Sequence, residues 1–312
     1  MSTPQKLILA HANCADGFMA SYVAYLALKV GSAVVDVQYV SYGDVIPDLT
    51  GKEVYILDFS YNPETLIEAA KSAHSVLLLD HHRTALDQWL SHDGDSAELD
   101  ACDFFETNMH ENLRVRIDMS QSGAGLAWAR WKHAVNGNGD YGDTDRFVRA
   151  LQRAVLAVED RDLWKKVLPK TEEICAALSN VPREFKAFSN YLYWTPESEI
   201  VAAGAAILQR NRVVCESIAK NAFDAVFMGQ DPAVPVVNCN KDFASDVGHL
   251  LDEGVPFSIT YAINSDIAYV SLRSRPQGAD VAGIAQHFGG GGHKHAAGFS
   301  LRVDEFFAML TF

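Results

Sequence analysis

Residues 75–83 read Ser75-Val-Leu-Leu-Leu-Asp80-His81-His82-Arg83: four large apolar residues run directly into three titratable ones. A short, continuous apolar run between polar flanks is the pattern of a strand buried on both faces. Two earlier stretches repeat it. Leu7 to Ala10 leads into His11, and Val54 to Leu57 leads into Asp58. Helical spacing from Gly17 to Lys29 and from Pro63 to Ala73, and a further strand at Val34 to Val40, complete an alternation of strands and helices. This order predicts an α/β fold whose N-terminal part is a doubly wound, mainly parallel sheet. Such sheets place their chemistry at the carboxyl ends of the strands, which is where His11, Asp58 and Asp80-His81-His82 fall.

The rest of the chain sets the frame. Its 312 residues, 48% hydrophobic and 21% charged, suffice for two cores. Five scattered cysteines, none in a C-x-x-C pair, indicate neither a disulfide framework nor a structural zinc site and fit a reducing compartment. No stretch approaches the ~18 apolar residues of a membrane span, and no apolar leader follows the first residues, so a cytoplasmic protein without membrane partners is expected. A net charge of −14 argues against gripping long duplex nucleic acid, and any anionic substrate is expected to be small.

Helical periodicity continues over Gly123 to Ala134 and Thr144 to Val158, with a loop at 136–140 between, and the second helix runs out into Glu159-Asp160-Arg161-Asp162. From 165 to 222 the pattern is helical and broken by Pro169, Pro182 and Pro196, which reads as a linker. The expected division is therefore 1–164, a helical linker at 165–222, and a smaller α/β domain at 223–312. Within that domain, Gly289 to Gly292 with His293-Lys294-His295 reads equally as a plain flexible loop or as one whose exposed backbone N–H groups, Gly291 and Gly292 among them, suit an anion. Arg273 and Arg275 end a strand just upstream, and a guanidinium binds phosphate in two-pronged fashion.

Carboxylates and imidazoles converging from adjacent strand ends suit Mn²⁺, Mg²⁺ or another first-row divalent ion, although each acid taken singly is also an ordinary helix cap or solvated loop residue. The combination of His11-Ala-Asn-Cys-Ala-Asp16-Gly, Asp58 in Tyr-Ile-Leu-Asp-Phe-Ser, and Leu-Asp80-His81-His82 resembles the DHH phosphoesterases. Gly289-Gly-Gly-Gly-His-Lys-His-Ala-Ala-Gly-Phe299 is similar to the DHHA1 domain that accompanies them. The resemblance implies that His11, Asp16, Asp58 and His81 are metal ligands for one or two Mn²⁺ or Mg²⁺ ions, with Asp58 as the bridge. It implies further that Asp80 orients the histidine pair, and that His82 faces a substrate phosphate. The fourth motif of that family is an aspartate after a helix. Asp160 is preferred, because it ends the apolar face of Leu-Gln-Arg-Ala-Val-Leu-Ala-Val, and Asp162 competes with it. Arg273 and His293, then Arg275 and His295, become the substrate-binding choices.

One departure stands out: the family carries two alternating aspartates in its first motif, whereas this chain has only Asp16, with Asn13 and Cys14 before it. One metal position therefore receives less charge, and Cys14 reads either as a soft ligand or as a small residue at a helix start. The implied activity is hydrolysis of phosphodiester or phosphomonoester bonds in small nucleotides by metal-activated water. An exopolyphosphatase-like hydrolase and an inactive nucleotide-binding sensor are the competing readings. A homodimer is one admissible assembly.

Overall fold

The apolar runs that end at His11, Asp58 and Asp80 lie side by side. The computed structural model of the chain describes residues 4–31, 33–93, 102–109, 112–137 and 144–311, and the chain divides into two units, Met1–Ala205 and Ala206–Phe312. In the first unit β1 (Lys6–His11), α1 (Ala15–Leu28), β2 (Val35–Val40), β3 (Glu53–Leu57), α2 (Pro63–Ala70), β4 (Ser75–Asp80) and α3 (Arg83–Asp93) alternate as expected. Then follow β5 (Phe104–Met109), β6 (Leu113–Asp118), α4 (Gly123–Gly137), α5 (Thr144–Asp162), α6 (Thr171–Ser179), α7 (Phe185–Trp194) and α8 (Glu197–Ala219), the last of which contains the division between the units.

The six strands are ordered β2-β1-β3-β4-β6-β5, all parallel except the pairing of β5 with β6. Strand alternation sends Leu7, Leu9, Val54, Ile56, Val76 and Leu78 to one face, where they pack with Leu66 of α2 and Leu86 and Trp89 of α3. Ile8, Ala10, Leu57 and Leu79 go to the other, under α1, α4 and α5. Because β1 has β2 on one side and β3 on the other, the chain reverses direction across the sheet at their carboxyl ends. Such switch points are where doubly wound sheets place their ligands, and here α1 covers one face and α2 the other. Local signals fix the connections: Asn62 accepts from the Glu64 amide at 3.0 Å and Pro63 follows it as the first helical residue of α2.

The second unit comprises β7 (Phe223–Phe227), β8 (Gln230–Asn238), α9 (Ala244–Leu251), β9 (Ser258–Asn264), β10 (Ile267–Arg273), α10 (Val281–His287), β11 (Gly291–His293), β12 (Ala296–Arg302), α11 (Val303–Ala308) and β13 (Leu310–Thr311). Its sheet runs β11-β12-β10-β9-β8-β7-β13 and is antiparallel apart from β8 beside β9. Val234, Ile259, Val270, Leu272, Phe299 and Phe306 form its core. Among the described residues no helix is long and apolar enough to cross a membrane.

Four expectations change. β5 and β6 are additions to the expected elements, and α5 continues through Asp162 instead of ending at Val158. The loop expected at 136–140 begins inside α4, and its residues 138–140 lie outside the described ones. The stretch that reads as a linker is largely core: Ile174, Leu178, Phe188, Leu192 and Ile200 are buried with α1, α4 and α5. Pro169, Pro182 and Pro196 stand in the connections between α5, α6, α7 and α8. Phe188→Ala is therefore expected to cost the first unit about 3–5 kcal/mol in a denaturant titration, where a residue in a solvated linker would change stability by under about 0.5 kcal/mol.

Candidate metal centre

Asp58 follows β3 in a left-handed conformation (φ 57°), its amide bonded to Leu79 O at 2.9 Å, and its side chain is only 1% exposed. Aspartate tolerates this backbone region better than most residues, and strain of this kind collects at functional sites. The two carboxylate oxygens have different surroundings. Oδ1 lies 3.0 Å from His81 Nε2, whereas Oδ2 has no hydrogen-bond partner among the described residues and lies 3.8 Å from His11 Nδ1. His11 Nδ1 is likewise buried with no hydrogen bond. Unsatisfied buried groups are rare in proteins and call for an explanation.

Around Asp58 the donors form three overlapping groups whose ligand atoms lie within 4.8 Å of one another: His11 with Cys14 and Asp58, Asp58 with His81 and His82, and Asp16 with His81 and Asp162. The structure thus brings His11, Asp16, Asp58, His81 and His82 together. Backbone approach makes this possible at two glycines. A Cβ on Gly17 would stand 2.6 Å from His11 O, and one on Gly123 would stand 2.5 Å from the Asp58 Cβ. Asp16 is held from the far side by the start of α4: Ser122 Oγ and the Ala124 amide donate to Oδ1 at 2.6 and 3.0 Å, and the Gly123 amide to Oδ2 at 2.5 Å. A helix N-terminus favours such a negative charge. The Ser122-Gly123-Ala124 turn therefore positions a carboxylate of the chain itself.

Asp80, with no exposed surface, accepts from the amides of His81 (2.8 Å) and His82 (3.4 Å) and from His82 Nδ1 (2.7 Å), all on Oδ1. Although burial works against it, the charge of His82 and this bond hold the Asp80 carboxyl below the usual range. Burial also opposes the His82 cation, but the charge of Asp80 and the hydrogen bond outweigh it and raise the His82 pKa. His81 behaves likewise. Against desolvation, the bond to Asp58 and the charges of Asp16, Asp58 and Asp162 push it up to about 10. Burial, reinforced by Asp16, pushes Asp58 and Asp162 up. Burial lowers His11, and burial with the charges of Asp58 and Asp16 raises the Cys14 thiol well above its ordinary value. The group stores more negative charge than its own histidines balance comfortably, and a divalent cation would take the place of the proton shared by His81 and Asp58.

The fourth aspartate is a correction. Asp162, at the end of α5, stands 3.5 Å from His81 Nε2. Asp160, the residue preferred from sequence, is buried elsewhere: Thr171 Oγ1 and the Val167 and Leu168 amides donate to it at 2.5, 2.9 and 3.2 Å. Burial opposes the Asp160 charge, yet those three bonds hold its pKa below the usual carboxylate range. Asp160 ties α5 to the turn before α6; Asp162 faces the histidines.

In the second unit the glycine run is not the open loop expected. Gly291 pairs with Gly298 and Gly292 with Ala297 as an edge hairpin, and a Cβ on Gly290 would stand 2.2 Å from Gly298 O. Arg273 donates to Ser245 Oγ at 3.1 Å and to Leu272 O at 2.7 Å, and Arg275 pairs with the buried Asp252 at 2.5 Å. His295 Nδ1 is 2.9 Å from Ser274 Oγ, and His293 sits exposed at the end of β11. Three of the four side chains chosen as substrate contacts, Arg273, Arg275 and His295, thus bond groups of their own unit. Sequence reasoning overlooks Tyr42, whose ring lies 5.5 Å from that of His11 and 4.9 Å from that of Phe59 while the residue stays 56% exposed.

No known family profile matches the chain. It is 24% identical over 313 residues to uncharacterized protein R106 of Acanthamoeba polyphaga mimivirus, across 94% of this chain and 67% of that one. Among solved structures it is similar to an exopolyphosphatase-related protein from Bacteroides fragilis (TM-score 0.49, 14% identity, 98% of this chain and 90% of the other). It is also similar to RecJ in complex with Mn²⁺ from Thermus thermophilus (TM-score 0.48, 15% identity, 98% of this chain and 50% of the other). Likeness of this degree leaves the chemistry to be argued from the residues themselves.

Asp160→Ala should lower thermodynamic stability by about 2–3 kcal/mol, since it strands buried donors, while Asp162→Ala should keep the fold and weaken Mn²⁺ binding by more than about tenfold; calorimetry on both variants separates the roles. Because His81 is raised, the metal-free protein keeps its proton at neutral pH, and metal must displace it. Asp58, raised to about 7, also gives up its proton over this range, so Mn²⁺ affinity should rise about tenfold or more per pH unit between about pH 6 and 8, and a pH-independent affinity would rule this out.

Proposed function

We propose that the chain is a hydrolase that uses divalent metal ions, Mn²⁺ or Mg²⁺, to cleave phosphodiester or phosphomonoester bonds of small nucleotides such as short oligonucleotides and cyclic or phosphorylated nucleotides. The observation that carries this reading is the meeting of Asp16, Asp58 and Asp162, from three separate elements, at His81, with the second Asp58 oxygen turned toward His11 and without a hydrogen-bond partner among the described residues. A structural ion-pair cluster would satisfy its own members. When bound there, divalent ions polarise a phosphoryl group and supply water of lowered pKa.

The side chains of the chain do the rest. Asp58 offers one oxygen toward His81 and the other toward His11, the posture of a shared ligand. Asp16, fixed by the α4 N-terminus, and Asp162 add charge on the His81 side. His82, oriented through Nδ1 by Asp80 and with a raised pKa, is suited to donate a proton to a phosphoryl or leaving oxygen. No nucleophilic side chain is required, because water attacks phosphorus.

Tyr42 favours a base-bearing substrate over an inorganic chain. Its exposed ring beside His11 is a stacking surface for a nucleobase and offers nothing comparable to polyphosphate. The test is Mn²⁺-dependent turnover of bis-p-nitrophenyl phosphate, a dinucleotide, a cyclic nucleotide and polyphosphate. Asp58→Ala and His81→Ala should fall to background with unchanged circular dichroism. Tyr42→Ala should raise KM for the dinucleotide about tenfold, the worth of one stacked base, and leave the generic ester unaffected. Nucleotide binding without hydrolysis by the metal-loaded protein would point instead to a sensor, and turnover of polyphosphate alone would overturn the nucleotide assignment.

A further inference from the structure

Cys14 occupies the N-cap of α1, with φ −104° and ψ 140°. Serine, threonine, aspartate or asparagine would stabilise that position by accepting a bond from the helix backbone; Cys14 makes no side-chain capping bond of ordinary geometry. Sulfur is a weaker acceptor than oxygen, so the thiol caps the helix less well than those side chains would. What the position gives is proximity: Sγ belongs to the group of atoms, with one from His11 and one from Asp58, that lie within 4.8 Å of one another. An independent observation points to a ligand at the same place. Asp58 is 1% exposed and its Oδ2, the oxygen on the His11 side, has no hydrogen-bond partner among the described residues, and His11 Nδ1 is a buried nitrogen in the same condition.

A thiol, an imidazole and a carboxylate make a mixed soft and hard set. Thiolate sulfur favours Zn²⁺-like cations over Mn²⁺ and Mg²⁺, while imidazole serves either kind. On the other side of Asp58 the donors are Asp16, His81 and Asp162, which contain no sulfur. The two sides of the shared carboxylate therefore differ in chemical taste. We propose that His11, Cys14 and Asp58 form a binding position for a borderline-soft divalent cation of the Zn²⁺ or Co²⁺ class, beside a harder position at Asp16, His81 and Asp162. This rests on the metal-dependent reading above and specifies it. On coordination the Cys14 S–H bond breaks, its proton goes to solvent, and the sulfur lone pair binds the cation; no electron is transferred.

The experiment is a titration of the full-length, metal-free protein with Co²⁺, followed by absorption spectroscopy, with Cys14→Ser and Cys14→Asp beside it. Aspartate is a good N-cap, so the latter variant keeps α1. The expected result is a thiolate-to-Co²⁺ charge-transfer band in the near ultraviolet that is absent from both variants. Cd²⁺ affinity should fall by more than about tenfold in Cys14→Asp, while Mn²⁺ affinity holds or rises. A band that persists in Cys14→Ser would come from Cys102, Cys175, Cys215 or Cys239 and would overturn the proposal. So would stoichiometric Co²⁺ binding to the unaltered protein without a band, and in both cases the metal-dependent reading would stand. Failure to bind Co²⁺, Mn²⁺ or Cd²⁺ at all would overturn both.

Discussion

Asp58 sets the terms for the first unit. A carboxylate almost wholly removed from water, with one oxygen bonded to His81 and the other without a hydrogen-bond partner among the described residues, is costly to keep, since desolvation penalises its charge and Asp16 repels it. A fold tolerates such a group only if the surroundings force it into place. Here they do so from all sides: the β3 end in a left-handed turn, the Asp58 amide tied to Leu79, and Gly123 pressed against its Cβ.

The neighbouring elements serve the same point. Parallel strands with helices on both faces bring the ends of β1, β3 and β4 into one row, and the reversal of strand order beside β1 leaves space there. The α4 N-terminus neutralises Asp16 with two backbone amides and a hydroxyl, so that this charge is held close to Asp58 without collapsing onto it. The long α5 reaches far enough past Val158 to present Asp162, and Asp160 anchors the turn that follows. Residues whose sequence reads as a linker supply the packing behind α1 and α5.

Much of this is legible in the sequence, for physical reasons. Apolar runs that end in polar residues reveal buried strands and their chemical ends, so β1, β3, β4 and the residues His11, Asp58 and Asp80 to His82 can be read directly. The choice between Asp160 and Asp162 cannot be read from the end of the apolar face alone. A helix that continues to 162 puts Leu151, Val155, Val158 and Asp162 along one face, a spacing that points to the right residue. β6 is also within reach, because Leu113, Val115 and Ile117 alternate with arginines and an aspartate in the manner of a half-buried strand. β11 is not: an edge strand of glycines is held by backbone pairing and close approach, and composition makes it look like a loop. Tyr42 belongs to the same class, since only folding places it beside His11.

Everything at this centre turns on what occupies the space around Asp58. Crystals grown with Mn²⁺ and measured at its absorption edge test this without reference to any substrate. The expected result is an anomalous peak within about 2.5 Å of an Asp58 oxygen and of His81 Nε2, with the direct bond between those two atoms replaced. A Mn²⁺-soaked crystal in which His81 still bonds Asp58, and in which any anomalous peaks lie elsewhere, would contradict a metal centre built on Asp58.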